Sequence, residues 1–233
     1  MTGPAGLVDG GWGRRMPVPD REISTTAYLT LGLLAARDWS AYQLAEQLGR
    51  GVAELWPSAD RGRYAVLTRL RDAGFVETRQ EHTGKRARTM YSITPEGREA
   101  LARWLSTPVR PPSFEFEGMV RVLLSDQGSL DDLRATLAQT RERALAQRDL
   151  FARYAAFISA TGGTFPERQH LFALANTFMV GHYEHILAWA EWAERQIARW
   201  PDTVTPATTH GDQVRHMLAP GRRLFEAGQP DAH

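Results

Sequence analysis

Apolar residues first fall into a pattern at Ser24, where STTAYLTLGLLAAR sets a Ser/Thr start ahead of Tyr28, Leu29, Leu31, Leu33 and Leu34. This predicts a first helix that is apolar almost all round, and such a helix must be buried. After Asp38 and Trp39, SAYQLAEQLGRG places Ser40 as an N-cap before Leu44, Ala45 and Leu48 and stops at Gly49 and Gly51, which reads as a short second helix. A third follows in WPSADRGRYAVLTRLRDAG, fixed by Leu67, Leu70 and the terminating Gly74 and polar on its opposite side. Two short helices about a glycine-containing turn make a helix-turn-helix candidate. FVETRQE, HTGKRA and RTMYSI then read as two strands around a glycine-containing loop, a hairpin that fits a wing. TPEGREALARWLST supplies a fourth helix, with Thr94 as N-cap, Pro95 at the first helical position, Glu96 in the first turn, and Ala100, Leu101, Trp104 and Leu105 on one face.

Beyond the break at TPVRPPS the pattern stays helical to about Trp200. FEFEGMVRVLL predicts a short helix, and a long one starts at a Ser129 cap, with Leu130, Leu137, Ala144, Phe151 and Ile158 recurring every seven residues and Leu133 and Tyr154 at the companion spacing. That heptad seam implies a partner helix. Its length, about 45 Å at about 1.5 Å per residue, leaves room for part of the seam to face another subunit. After Gly162-Gly163, Thr164 and Pro166 open a last long helix with Leu171, Leu174, Phe178, Ile186, Trp189, Ala193, Ile197 and Trp200 along one side. The fold class is therefore mainly α: a winged helix-turn-helix of three helices and a β-hairpin wing over residues 21–106, followed by a helical dimerisation and effector domain over 107–200. Residues 1–20, rich in Gly and Pro, read as a disordered tail, and 201–233 as a mostly irregular one with at most a short helix near Asp212 to Leu218.

Composition narrows the function. With 42% apolar and 24% charged residues the chain can bury a core, and no apolar run suits a membrane span or a signal peptide. A cytoplasmic protein without membrane contact is expected. The absence of cysteine excludes disulfides, thiolate zinc sites and a cysteine nucleophile. A net charge of +1 says little, but between Ser58 and Met90 eight basic residues face four acidic ones, a local excess of +4. Lys85 is the only lysine in the chain, so the preference for arginine carries little weight.

Four segments in order, TAYLTLGLLA, SAYQLAEQL, RYAVLTRLRDAGFVE and MYSITPEGREALARWL, resemble the PadR family of bacterial transcriptional regulators. The family's recognition-helix pattern is matched by Tyr64, Leu67, Leu70 and Gly74, and its string after the wing by Tyr91, Thr94, Gly97 and Trp104. The resemblance runs from Ser24 to Leu105 and thins after about residue 107. It implies a homodimer made through the C-terminal helices and repression relieved by a small ligand or by stress. The start of the recognition helix, ADRGR, is more charged than the family's Ser/Gly-rich form, so the family's base preference is not transferred.

With Leu67 and Leu70 on the core, helical geometry turns Ser58, Arg61, Ala65, Thr68 and Arg69 to the opposite side, where they would read base edges in a major groove. Arg63 lies on the Leu67 line and Tyr64 at the margin, both suited to phosphate. Lys85, Arg86 and Arg88 sit near the hairpin tip, placed for phosphate or minor groove. Tyr42 and Gln43 lie at the N-terminal end of the second helix, whose amides suit a phosphate. The expected partner is double-stranded DNA.

His182 and His185 with Glu184 form the string GHYEH, which invites a metal, but both histidines fall on an apolar stripe and read as packed. No phosphate loop, Ser-His-Asp set or carboxylate cluster stands out, so neither catalysis, a metal nor a cofactor is expected. Trp104, Phe178, Tyr183, Trp189 and Trp192 are candidates to line a pocket for a small aromatic effector. Two alternatives stand beside this reading. One is a regulator of the related MarR type, although spare helix lies almost wholly after the wing; the other is a helical interaction module without DNA binding, although the wing is basic.

Overall fold

The computed structural model describes residues 23–49, 55–56, 63–83 and 86–227. The chain divides into two units, residues 1–110 and 111–233.

In the first unit, α1 (Thr25–Leu34) starts at Ser24, whose hydroxyl accepts from the Ala27 N–H at 3.3 Å. It buries Ala27, Leu31 and Leu34, as an almost all-apolar helix must. Thr30, also buried, donates its hydroxyl to the Thr26 carbonyl at 2.8 Å, which pairs its polar group within the helix. The two-residue strand β1 (Trp39–Ser40) follows, and Trp39 donates its indole N–H to the Leu33 carbonyl at 3.1 Å. α2 (Ala41–Gln47) opens with a capping box: the Ser40 hydroxyl accepts from the Gln43 N–H while Gln43 Oε1 accepts from the Ser40 N–H. α3 (Arg63–Asp72) plants Val66, Leu67 and Leu70 in the core beside Leu31, Leu34 and Leu44.

α3 ends where Gly74 takes φ 75°, the left-handed conformation that glycine adopts without a Cβ penalty. Strands β2 (Val76–Thr83) and β3 (Arg86–Ile93) then pair antiparallel from Val76 opposite Ile93 to Thr83 opposite Arg86. β1 adds to the other side of β3, giving the order β1-β3-β2. Two details differ from expectation. The strands run further, so that residues expected in the hairpin loop, Arg86 among them, continue the ladder. The edge strand β1 was not foreseen, because two residues carry no periodicity. α4 (Pro95–Leu105) closes the unit on the Thr94 cap, and Thr94 also donates to the Gly74 carbonyl at 2.7 Å.

In the second unit, α5 (Glu117–Leu123) leads to α6 (Leu130–Thr161), capped by a Ser129–Asp132 box and ended by Gly162 at φ 79°. α7 (Gln169–Ile197) returns along α6, so the expected heptad seam of Leu133, Leu137, Ala144 and Phe151 finds its partner within the chain. Leu133, Leu137 and Ile197 form one buried cluster, walled by Val122, Leu130, Trp189, Ala193 and Trp200. The single apolar side expected for α7 splits in two. Met179, Ala190 and Ile197 are buried, whereas Leu171, Leu174 and Phe178 are exposed, because their line is rotated toward one flank of the packing line. The tail is also corrected: α8 (Pro206–Thr209) is followed by a 17-residue helix, α9 (Gly211–Ala227), which continues through Pro220. Gln213 fastens its start, accepting from the Trp200 indole N–H at 3.0 Å and donating to the Gln196 carbonyl at 2.9 Å.

Candidate nucleic-acid interface

A helix that reads DNA needs an immobile footing beneath an outward polar face. In α3 the footing is Val66, Leu67 and Leu70, the last fully buried, and the exposed face carries Ala65, Thr68 and Arg69. Basic Arg69 and Arg71 fall in its last turn; Arg71 is occupied by Asp72 through a two-pronged contact with Nη2 at 3.0 Å. Ser58, Arg61 and Lys85 lie outside the described residues, as do the side chains of Arg63, Tyr64 and Arg86.

At the start of α2 the two expected phosphate contacts have different surroundings. Tyr42 is 74% exposed, while the side chain of Gln43 is engaged with Ser40. Arg88 requires a correction of place: it is not at the hairpin tip but within β3, directly opposite Glu81. Its Nη2 donates to Glu81 Oε2 at 3.2 Å. The other Glu81 oxygen accepts from Arg79 at 2.6 Å, and Arg79 also reaches Asp38 at 3.1 Å. Sequence reasoning missed this row of four charges, since it depends on strand register and on the position of the α1–β1 turn.

Trp104 lies in the first unit, stacked on Tyr28 with ring centroids 4.6 Å apart and planes 9° from parallel. The pair walls a groove of about 1190 Å³ floored by Leu70, Phe75 and Ala100, with Arg69 and Arg103 on its lining. Phe178, Tyr183, Trp189 and Trp192 lie in the second unit. There Tyr183 stacks on Phe151 at 6.0 Å, Trp189 meets the edge of Phe116 at 6.3 Å, and Phe178 stacks on His182 at 6.3 Å. His182 is thus packed among rings, as expected, but His185 is exposed rather than packed. Among the described residues no group of three His, Cys, Asp or Glu side chains is placed to hold a metal, and no helix is long and apolar enough to cross a membrane.

Residues 30–103 match the model of the transcriptional regulator PadR-like family. No curated protein sequence matches the chain. Several solved structures share its fold. Bacillus subtilis PadR in complex with operator DNA is 20% identical with a TM-score of 0.67, covering 75% of this chain and 99% of that one. The same protein in complex with p-coumaric acid is 20% identical with a TM-score of 0.60, covering 74% and 98%. The Vibrio cholerae virulence activator AphA is 20% identical with a TM-score of 0.58, covering 75% and 98%. The matched family is one of transcriptional regulators.

Proposed function

We propose, from the premise that the chain belongs through residues 30–103 to the PadR-like family of transcriptional regulators, that it is a sequence-specific DNA-binding repressor. It acts as a homodimer in the cytoplasm and is released from its operator by a small aromatic molecule. The observation that carries the DNA reading is the exposed Ala65–Thr68–Arg69 face on the fixed Val66, Leu67 and Leu70 footing of α3. Within that reading, Ser58, Arg61, Thr68 and Arg69 read bases, Arg63 and Tyr64 flank them, and Lys85, Arg86 and Arg88 hold phosphates. Tyr42 steadies the backbone, with Gln43 supporting it through the α2 cap. The fold shared with an operator-bound relative agrees with this.

The dimer reading rests on Leu171, Leu174 and Phe178, which are 54%, 72% and 65% exposed along one flank of α7. Large apolar side chains in a row on a surface mark an association site. For the effector, the relative's complex with p-coumaric acid suggests the ligand class. Trp104 in the groove of the first unit, and Phe178, Tyr183, Trp189 and Trp192 in the second, are its candidate contacts. A ligand in the groove would also touch Arg69, which belongs to the reading face.

Gel-shift titration with Arg69→Ala and Lys85→Ala tests the DNA reading. The first is expected to cost about 1–3 kcal/mol on a cognate duplex, and the second to lower the salt slope by about one unit on any duplex. Unchanged affinity in both overturns it. Quenching of tryptophan fluorescence by phenolic acids tests the effector, and a flat titration across a varied aromatic panel counts against it.

A further inference from the structure

The cations of the wing are not equivalent. Arg88 and Arg79 share one carboxylate: Glu81 Oε2 accepts from Arg88 at 3.2 Å and Glu81 Oε1 from Arg79 at 2.6 Å, while Arg79 is also held by Asp38 at 3.1 Å. The four charges sum to zero, two carboxylates against two guanidiniums. The local excess of positive charge that marks this region in the sequence is therefore cancelled at this part of the sheet. Glu81 stands directly opposite Arg88 in the ladder, so the strand register itself holds the two together. The remaining charge of the same strand, Glu77, lies opposite Ser92 further from the tip.

Resting on the DNA-binding reading above, we propose that Glu81 is an affinity-limiting residue: an internal counter-charge that competes with DNA phosphate for Arg88 and so lowers affinity for a duplex of any sequence. A phosphate that takes Arg88 must displace the Glu81 carboxylate and leave it facing the polyanion with only Arg79 to offset it. Contacts to phosphate supply essentially all of non-specific affinity. A carboxylate set against such a contact therefore taxes every sequence equally. With phosphate affinity lowered in this way, the base contacts of α3 decide which duplexes stay bound at a given protein concentration.

The competing role for the same pair is structural: cross-strand partners of opposite charge stabilise a hairpin. The two roles predict opposite signs. Glu81→Gln keeps an oxygen that accepts from Arg88 but removes the charge. The experiment measures binding of the full chain to a random-sequence duplex between about 50 and 200 mM salt, the range over which phosphate contacts are most visible. Glu81→Gln is expected to tighten binding by roughly 3- to 10-fold at the low-salt end, the effect of removing one nearby like charge under partial screening. The gain is expected to shrink when Arg88→Ala is added, since the released cation is then missing. Unchanged or weakened binding by Glu81→Gln overturns the proposal, and so does a gain that persists in full without Arg88. Failure of the wild-type chain to bind any duplex in this range overturns the DNA-binding reading, and this inference with it. A thermal melt of each variant accompanies the titration; a lower midpoint together with weaker binding assigns Glu81 to hairpin stability instead.

Discussion

Arg69 and Leu70 are neighbours in sequence with opposite surroundings, one on the exposed face of α3 and one fully buried beneath it. That division follows from helical geometry alone, and Arg69→Ala tests it on the DNA side as described above. Local chemistry of this kind was legible at most residues. The caps at Ser24, Ser40, Thr94 and Ser129 follow from hydroxyls placed before periodic segments, because capping involves only three or four consecutive residues. The cap at Ser129 also gives a pH prediction. The Ser129 hydroxyl and then its backbone N–H hold the Asp132 carboxyl below its usual range. A carboxylate with a depressed value in the folded state contributes stability at neutral pH that is lost as pH falls through that value. Replacing Asp132 by Asn is therefore expected to lower the melting temperature near neutrality and to make little difference in strong acid; an equal loss at both pH values would contradict the cap. What was not legible at this scale needs a distant partner. Arg88 looks like a free wing cation in sequence, and only the register that brings Glu81 opposite shows otherwise. Gly97 was assigned only to a resemblance, yet a Cβ there would sit 2.2 Å from the Phe75 carbonyl oxygen and 2.9 Å from Ile93 Cγ1. The oxygen is backbone and cannot move aside, so Gly97→Ala is expected to cost about 3 kcal/mol, as severe overpacking does, measured by urea unfolding.

Among the elements, strong periodicity was a reliable guide and weak periodicity was not. The α6 seam was visible because it repeats over four heptads, from Leu130 to Ile158, and its partner is α7 of the same chain. Leu137, 1% exposed in the cluster with Ile197, carries the seam. Leu137→Ala is expected to destabilise by about 2–5 kcal/mol, as buried leucine truncations do, while Leu145→Ala, on an exposed position of the same helix, is expected to change stability by less than about 0.5 kcal/mol. Equal effects in chemical denaturation would contradict the seam. The helix α9 was hidden by Pro220 and the preceding Pro/Thr-rich run, composition that ordinarily interrupts a helix. The strand β1 was hidden by its length, since it is defined by the β3 backbone it pairs with and not by a pattern of its own.

For the whole molecule, hydrophobic periodicity changes at the break near residue 107, and the structure divides into residues 1–110 and 111–233. What associates with the outer flank of α7 was not legible, because a single chain records only that Leu171, Leu174 and Phe178 are exposed. If that flank joins two copies, Leu174→Glu is expected to convert a dimer to monomer in analytical ultracentrifugation and to weaken operator binding. Retention of a wild-type dimer would remove α7 from the interface. A two-fold dimer would present two α3 helices to one face of a duplex, with centres about 34 Å apart or at a multiple of that spacing. Selection from random duplex DNA at physiological salt tests this most directly, because it reports binding, base preference and half-site spacing together. Enrichment of an inverted repeat with that spacing, lost with Arg69→Ala, is the predicted result; recovery of unselected sequence, or of single half-sites alone, would contradict the account.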